Sequence, residues 1–338
     1  MSNANTGRPA GPGSVGGFIG SYPLLSLILQ RIVLGFVLLL AISALLFIGI
    51  EILPGDFAQS YLGQSATPEA IANIRRELGL NAPVHERYIS WLGGVVQGDF
   101  GISWANKASV SDQIGKRLGN TLFLAFWAAV VSVPLAIGLG MIAVHYRNRF
   151  IDRLINVISL AAISLPEFFT GYLLILFFAV NMGVATFPST VHDGMSFGDR
   201  LSAIALPCAT LVLVVLAHMM RMTRAAILNI MSSAYIETAE LKGLDAFRII
   251  ARHAAPNAIA PIINVVALNL AYLVVGVVVV EVIFVYPGMG QYLVDAVTIR
   301  DMPVVQACGL VFAAVYIILN MVADVLGILA NPRLRHPK

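Results

Sequence analysis

"LGNTLFLAFWAAVVSVPLAIGLGMIAVHY", residues 118–146, runs for 29 residues without an Asp, Glu, Lys or Arg. A helix rises about 1.5 Å per residue and about 20 apolar residues cross the hydrocarbon of a bilayer. The stretch is therefore longer than a buried core helix needs and long enough to span lipid. Equivalent uncharged runs lie at 32–50, 201–220, 254–280 and 302–323, and a further one at 154–182 is interrupted only by Glu167. Pro166, beside that glutamate, is read as tolerated inside a continuous span, because neighbouring helices can satisfy the carbonyl it frees. Residues are 58% hydrophobic and 12% charged, and the mean hydropathy is +0.85. Soluble domains carry about twice that share of charge. The sequence reads as an all-α polytopic membrane protein.

Six spans follow, placed at 32–50, 118–146, 154–182, 201–220, 257–285 and 302–326. A long segment, 51–117, separates the first two, and a charged loop, 221–256, separates the fourth and fifth. Residues 1–31, rich in Gly, Pro, Ser and Asn, read as a flexible tail with the start of the first helix, and 331–338 as a second tail. The run at 32–50 begins too late and extends too far for a cleaved signal peptide and reads as a retained anchor. Lys and Arg fix the orientation, because cationic loops resist translocation. With both ends cytoplasmic, 13 of the 21 cations lie inside; six of the other eight fall in the long 51–117 segment, where the rule is weak, leaving Arg200 and Arg300.

The 51–117 segment carries its own helix signals. Thr67 followed by Pro68 is an N-cap with proline at the first helical position, and Gly79 is a stop. Val84, Tyr88, Trp91, Leu92 and Val95 then recur at helical spacing, and Val110, Ile114 and Leu118 share one face. These are read as helices lying along the outer membrane surface, either covering the span ends or forming a platform for an external partner. Cys208 and Cys308 sit in apolar runs without a CxxC or ligand spacing and read as structural. So does His218, and no metal site is expected.

"AYIETAELKGLDAFRIIARHAAPN", residues 234–257, is the charged exception. Ser232 or Ser233 is placed as the cap of a helix through Lys242. Gly243 ends it in the left-handed conformation, Asp245 caps a second helix to about His253, and Pro256 limits that helix or begins the next span. The local pattern is a helix, a glycine bend and a helix between two spans: a rigid knob or an ordinary cationic loop.

Within it, Glu237, Ala239 and Gly243 with the later Pro256 match E-x-A-x-x-x-G, the cytoplasmic motif of binding-protein-dependent ABC transporter permeases. "ILPGDFA" at Ile52, "LGLNAPVHERYISWL" at Leu78, "GDFGIS" at Gly98, "SLPEFFTG" at Ser164, "VEVIFVYPGMGQYL" at Val280, "RDMPVVQ" at Arg300 and "NMVADVLGILANPRLR" near the end follow in family order. The chain resembles the dipeptide and oligopeptide (and nickel) permease family, of the subunit type with a long first periplasmic loop, over roughly 24–335. Thr238 departs from the alanine usual at its place, His253 and Ala255 from larger aliphatics, and Asn331 from Asp.

The resemblance implies the transmembrane domain of a type I ABC importer in a bacterial inner membrane, importing dipeptides or oligopeptides. It implies a second, related permease, two ATPase subunits carrying ATP and Mg2+, a periplasmic binding protein, membrane lipid and no nucleic acid. It implies no catalytic residue and no cofactor on this chain, which has no GxxxxGK[ST]; Gly115-Lys116 is followed by Arg117. Glu237, Thr238, Ala239, Gly243, Asp245, Phe247, Arg248 and Pro256 are assigned to ATPase coupling. Phe247, Ile249 and Ile250 are expected to supply apolar contact to the motor subunit, with Glu237, Asp245 and Arg248 at the rim.

Carboxylates at membrane depth must face protein or water. Glu281 is read as a packing or gate residue. Asn320 and Asp324 are read as an i, i+4 polar pair making interhelical hydrogen bonds. Glu167 faces either a substrate amine or another chain. Competing classes are a multispan membrane enzyme, for which no Ser/His or paired-carboxylate motif is present, and a receptor or scaffold that moves no solute. Nickel complexes, glutathione and sugars are the other cargoes handled within the family.

Overall fold

The computed structural model describes residues 23–52 and 57–330. The two expected tails, apart from the first helix turns from Pro23, and Asn331 lie outside the described residues. Among the described residues fourteen α-helices follow in order: α1 Pro23–Ile52, α2 Phe57–Leu62, α3 Pro68–Glu77, α4 Val84–Val96, α5 Val110–His145, α6 Phe150–Ser164 and α7 Glu167–Leu174. Then come α8 Phe197–Ala203, α9 Ala205–Met231, α10 Ala234–Leu241, α11 Ala246–Ile249, α12 Ile259–Ile283, α13 Met289–Ile299 and α14 Met302–Ala330. No named strand occurs among the described residues.

Among the described residues, five helical stretches are long and apolar enough to cross a membrane, and the bent pair formed by α6 and α7, taken as one span, brings the total to six. Its bend corrects the expected continuous span at 154–182. Helix α6 ends at Ser164, Leu165 is extended (φ −81°, ψ 129°) and α7 restarts at Glu167, turned by 102°. Proline disfavours the helical region for its predecessor and removes an amide donor. Leu165 is exposed, so packing does not force the helix on. Pro134 lies inside α5, which continues through it; there the most extensive interface in the fold, with α9, supports both halves.

Helices α5, α9 and α12 form the centre. Leu124, Ala128 and Ala136 meet Leu211, Val215 and Met219 and also Leu273, Val277 and Val280, all buried. Small residues let helices approach where lipid supplies no hydrophobic drive. A Cβ at Gly140 of α5 would lie 2.9 Å from Thr223 Cγ2 of α9. Helix α14 packs on α12, and α1 packs chiefly on α14.

Helix α5, 36 residues and so about 54 Å long, joins two end clusters. Val110 and Ile114 at its start pack with Met289, Tyr292 and Val304. Val144 near its end packs with Ile227, Ile236, Ile249 and Ile250. The residues expected to open a separate surface helix at 110–118 are thus the first turns of a span. The span expected at 201–220 likewise continues in α9 to Met231, making Arg221 and Arg224 part of a helical stalk rather than a loop.

Between α1 and α5, Thr67 caps α3 by accepting from Ala70 N at 3.2 Å, and Gly79 takes φ +66°. Helix α4 is fastened to α1: Tyr88 and Ser43 share a hydrogen bond of 2.8 Å, Phe47 meets Tyr88 edge-on, and Arg87 pairs with Glu51 at 2.6 Å. Two stretches separated by about 200 positions meet at Asp301, which is 1% exposed. Its carboxylate accepts from Ser103 Oγ at 2.5 Å and from the amides of Trp104 and Ala105, each at 3.2 Å.

Asp301→Ala would strand those three donors. Leaving a buried donor unmet costs about 1–3 kcal/mol. The expected outcome is a clearly lowered thermal midpoint in detergent, measured against the purified parent protein, with helix content retained.

Candidate functional site

The eight residues assigned to coupling come together on one knob. Ser233 occupies the N-cap position of α10 but its side chain makes no capping bond, and Ser232 Oγ donates to Asn229 O at 2.8 Å instead. The helix stops at Leu241, one residue before Lys242, and Gly243 turns the chain at φ +74°. Asp245 caps α11, its Oδ2 accepting from Phe247 N at 3.0 Å and Arg248 N at 3.3 Å. A π-helical turn, Ile250–Ala254, and a short 3-10 turn at Pro256 lead into α12.

The inner face of this knob is apolar. Ile236, Ala239, Ile249 and Ile250 are buried against Val144 of α5 and Ile227 of α9. This corrects the expectation that Ile249 and Ile250 supply contact to another subunit: at 1% and 2% exposed, they are spent on holding the knob to its own chain. Phe247 is exposed at 55%, and Leu241, at 83%, is the apolar residue that the sequence reading missed. Tyr235 is exposed beside them, its hydroxyl donating to His253 O at 3.3 Å. Glu237, Thr238, Gly243, Asp245, Arg248 and Pro256 are exposed as well, whereas Ala239 faces inward, where its size fits the packed base. The signal for Leu241 was present in the helical spacing, because it falls on the face opposite Ile236 and Ala239.

The carboxylates assigned to the path or to packing do not share one site. Glu281, fully buried near the end of α12, accepts from Thr121 Oγ at 2.6 Å, Gly290 N at 2.7 Å and Gln291 N at 3.2 Å. Thr121 in turn accepts from Met289 N at 2.8 Å. Tyr286 donates to Asn120 O at 2.9 Å, Asn120 Nδ2 to Pro287 O at 3.0 Å, and Arg200 to Asn120 Oδ1 at 3.2 Å. The "YPGMG" turn is thereby pinned to α5. Gly288 is required by close approach: a Cβ there would stand 2.0 Å from Glu281 Oε1.

Glu167 opens α7 immediately after the break. Its carboxylate oxygens lie about 3.5 Å from where a Cβ would stand on Gly276 of α12, and Oε1 is buried without a hydrogen-bond partner among the described residues. Nearby, a cavity of about 370 Å³ is bordered by Leu165, His218, Asn269 and Tyr272, with His218 Nδ1 and Asn269 Oδ1 3.3 Å apart. At the bundle edge, Asp324 pairs with Arg31 of α1 at 3.1 Å, while Asn320 Nδ2 donates to Tyr316 O within α14 at 2.8 Å. Asp324 thus makes the expected interhelical contact, as an ion pair, whereas Asn320 bonds within its own helix. The long Arg31 side chain reaches across from α1 and gives the carboxylate a full opposite charge, which an amide cannot.

A family model described as "Binding-protein-dependent transport system inner membrane component" matches residues 136–336, and the N-terminal membrane component model of such transport systems matches 24–125. The chain is similar to the glutathione transport system permease protein GsiC of Escherichia coli (strain K12). They are 36% identical over 313 residues, 93% of this chain and 100% of the relative. The protein of the same description from Shigella flexneri serotype 5b is 35% identical with the same coverage. An inward-facing structure of the MetNI methionine ABC transporter aligns at 17% identity and a TM-score of 0.47, covering 66% of this chain and 96% of that one.

The Glu281 cage has a direct test. Glu281→Gln replaces one acceptor oxygen by an amide group that itself donates, facing a site built of donors. A loss of about 1–3 kcal/mol is expected. It should appear as a lower thermal midpoint and faster amide exchange in the 286–291 turn.

Proposed function

The chain belongs to the binding-protein-dependent transport system inner membrane component family and is a permease subunit of an ABC importer; from that premise we propose that its cargo is dipeptides or oligopeptides and that it couples to its motor through residues 234–256. A permease subunit is not itself an enzyme; ATP is hydrolysed by partner subunits.

The knob carries this reading. A surface loop would not need four buried apolar side chains beneath it, and a rigid body rooted in Val144, Ile227 and Ile262 transmits a push to α5, α9 and α12 together. Its outer face offers Leu241 and Phe247 within a rim of Glu237, Asp245 and Arg248. Apolar centres with polar rims are the anatomy of protein contacts. Closure of two ATPases would displace the knob, and the attached helices would exchange inward and outward access. A second, related permease completes the path, a binding protein delivers cargo to the 51–117 side, and both termini face the cytoplasm of a bacterial cell whose inner membrane holds the complex.

Glu167 supports an amine-bearing cargo, since a carboxylate in low dielectric is stabilised by an opposing charge. The named function of the relatives favours glutathione as a second reading, itself a small peptide with a free ammonium group.

The test is ATP-driven uptake by the complete complex in vesicles. Gly243→Val places a β-branched residue at φ +74°, which costs about 1–2 kcal/mol. Uptake is expected to fall about tenfold while ATP hydrolysis persists; unchanged coupled uptake would contradict the lever. Glu167→Gln is expected to raise the KM for cargo bearing an α-ammonium group and leave an N-acetylated analogue unaffected.

A further inference from the structure

Asp152 sits at the start of α6, beside the coupling knob but not part of it. It lies in the first turn of α6, is 4% exposed, and both of its carboxylate oxygens accept hydrogen bonds. Arg224 of the α9 stalk grips it with both arms of the guanidinium, Nε to Oδ1 and Nη2 to Oδ2, each at 2.9 Å. Asn148 N donates to Oδ2 at 3.0 Å, and Asn156 Nδ2 donates to Oδ1 at 2.8 Å. Asn148 holds a left-handed φ of +63° while presenting that amide. A buried ion pair offsets its desolvation only when geometry is good and the remaining lone pairs are met. Here both oxygens are.

The position of this pair is the informative part. Arg224 is three residues before Ile227, hence on the same side of α9. Ile227 is fully buried in the cluster that seats Ile236, Ala239, Ile249 and Ile250 of the knob. On the other side, Asp152 belongs to α6, which runs to Ser164 and the 102° break before Glu167. An unbroken series of packed and hydrogen-bonded groups thus leads from the knob through Ile227, Arg224 and Asp152 into the first half of the broken span. The bidentate fork fixes relative rotation as well as distance, which a single lysine contact cannot do.

We propose that Asp152 and Arg224 form a positioning latch, making α6 travel with the α9 stalk so that displacement of the knob arrives at the Leu165–Pro166 break. The proposal rests on the importer reading above. Neither side chain touches cargo or nucleotide in this scheme. Their work is to keep two helices one body during the stroke, and the hinge is the extended link at Leu165.

The experiment uses the complete complex in vesicles, with Asp152→Asn and Arg224→Lys. Both variants are expected to assemble and to hydrolyse ATP, while cargo moved per ATP falls about tenfold in Asp152→Asn and less in Arg224→Lys, which keeps a charge but loses the fork. A purely structural role would lower assembly and hydrolysis together and leave cargo per ATP unchanged; that result would overturn the latch. A second measurement is independent of whether the variants fold. Spin labels at Leu154 and Met222, both exposed, should report one distance in the otherwise native complex with and without ATP. A nucleotide-dependent change of several ångströms between them would also overturn the proposal. Absence of ATP-driven uptake in the unmutated complex, by contrast, would remove the importer reading itself.

Discussion

A bilayer interior has no water to complete a stranded hydrogen bond, and every buried polar group must find its partner in protein. The placement of polar side chains follows from that constraint. At one end, Glu281 collects a hydroxyl and two amides and holds the turn between α12 and α13 against α5. Beside it, Asp301 collects the 103–105 loop at the start of α14. At the other end, Asp152 collects a guanidinium, an amide group and a main-chain donor. Each carboxylate is surrounded by donors. All three join segments that are distant along the chain or lie on different helices, so the ends of the bundle are tied while its middle relies on apolar packing.

Glu167 stands apart because one of its oxygens has no such partner among the described residues. It also sits where the backbone changes direction. Proline at 166 and an exposed Leu165 leave the two halves of the span without helical continuity, so they can rotate relative to one another at lower cost than a packed helix would demand. A carboxylate at the first turn beyond such a joint is carried by the distal half. Its environment therefore depends on the angle of the break, which connects a local sequence feature to the state of the proposed path.

Much of this was legible in the residues. Uncharged runs placed the spans, Thr67-Pro68 and Gly79 bracketed α3, and Gly243 with Asp245 described the knob's bend and its second cap, because these depend on local backbone preference. Other features were not. The break at Pro166 was read as a tolerated proline, since sequence does not say whether neighbours support both sides, as α9 does for Pro134 in α5. Ile249 and Ile250 were placed outward, because in a short helix the buried side depends on what lies beneath, and here that is Val144, about a hundred positions away, together with Ile227 of the preceding span. Asp324 was matched with Asn320 by spacing, although its charge is met by Arg31 across the α1–α14 seam.

The same reasoning separates the knob from the latch. The knob is rooted by apolar contacts, which tolerate small sliding because dispersion and burial are weakly directional. An impulse passed through them alone would be partly lost as slip between helices. The Asp152–Arg224 fork is directional, with two parallel bonds of 2.9 Å, and rotation of either helix breaks one bond before the other. Placed three residues from Ile227, the proposed latch adds a stiff α6–α9 connection beside the apolar seat of the knob. Stiffness is useful there because the opposite end of α6 is a joint: a rod must be held firmly at one end for motion to be concentrated at the other.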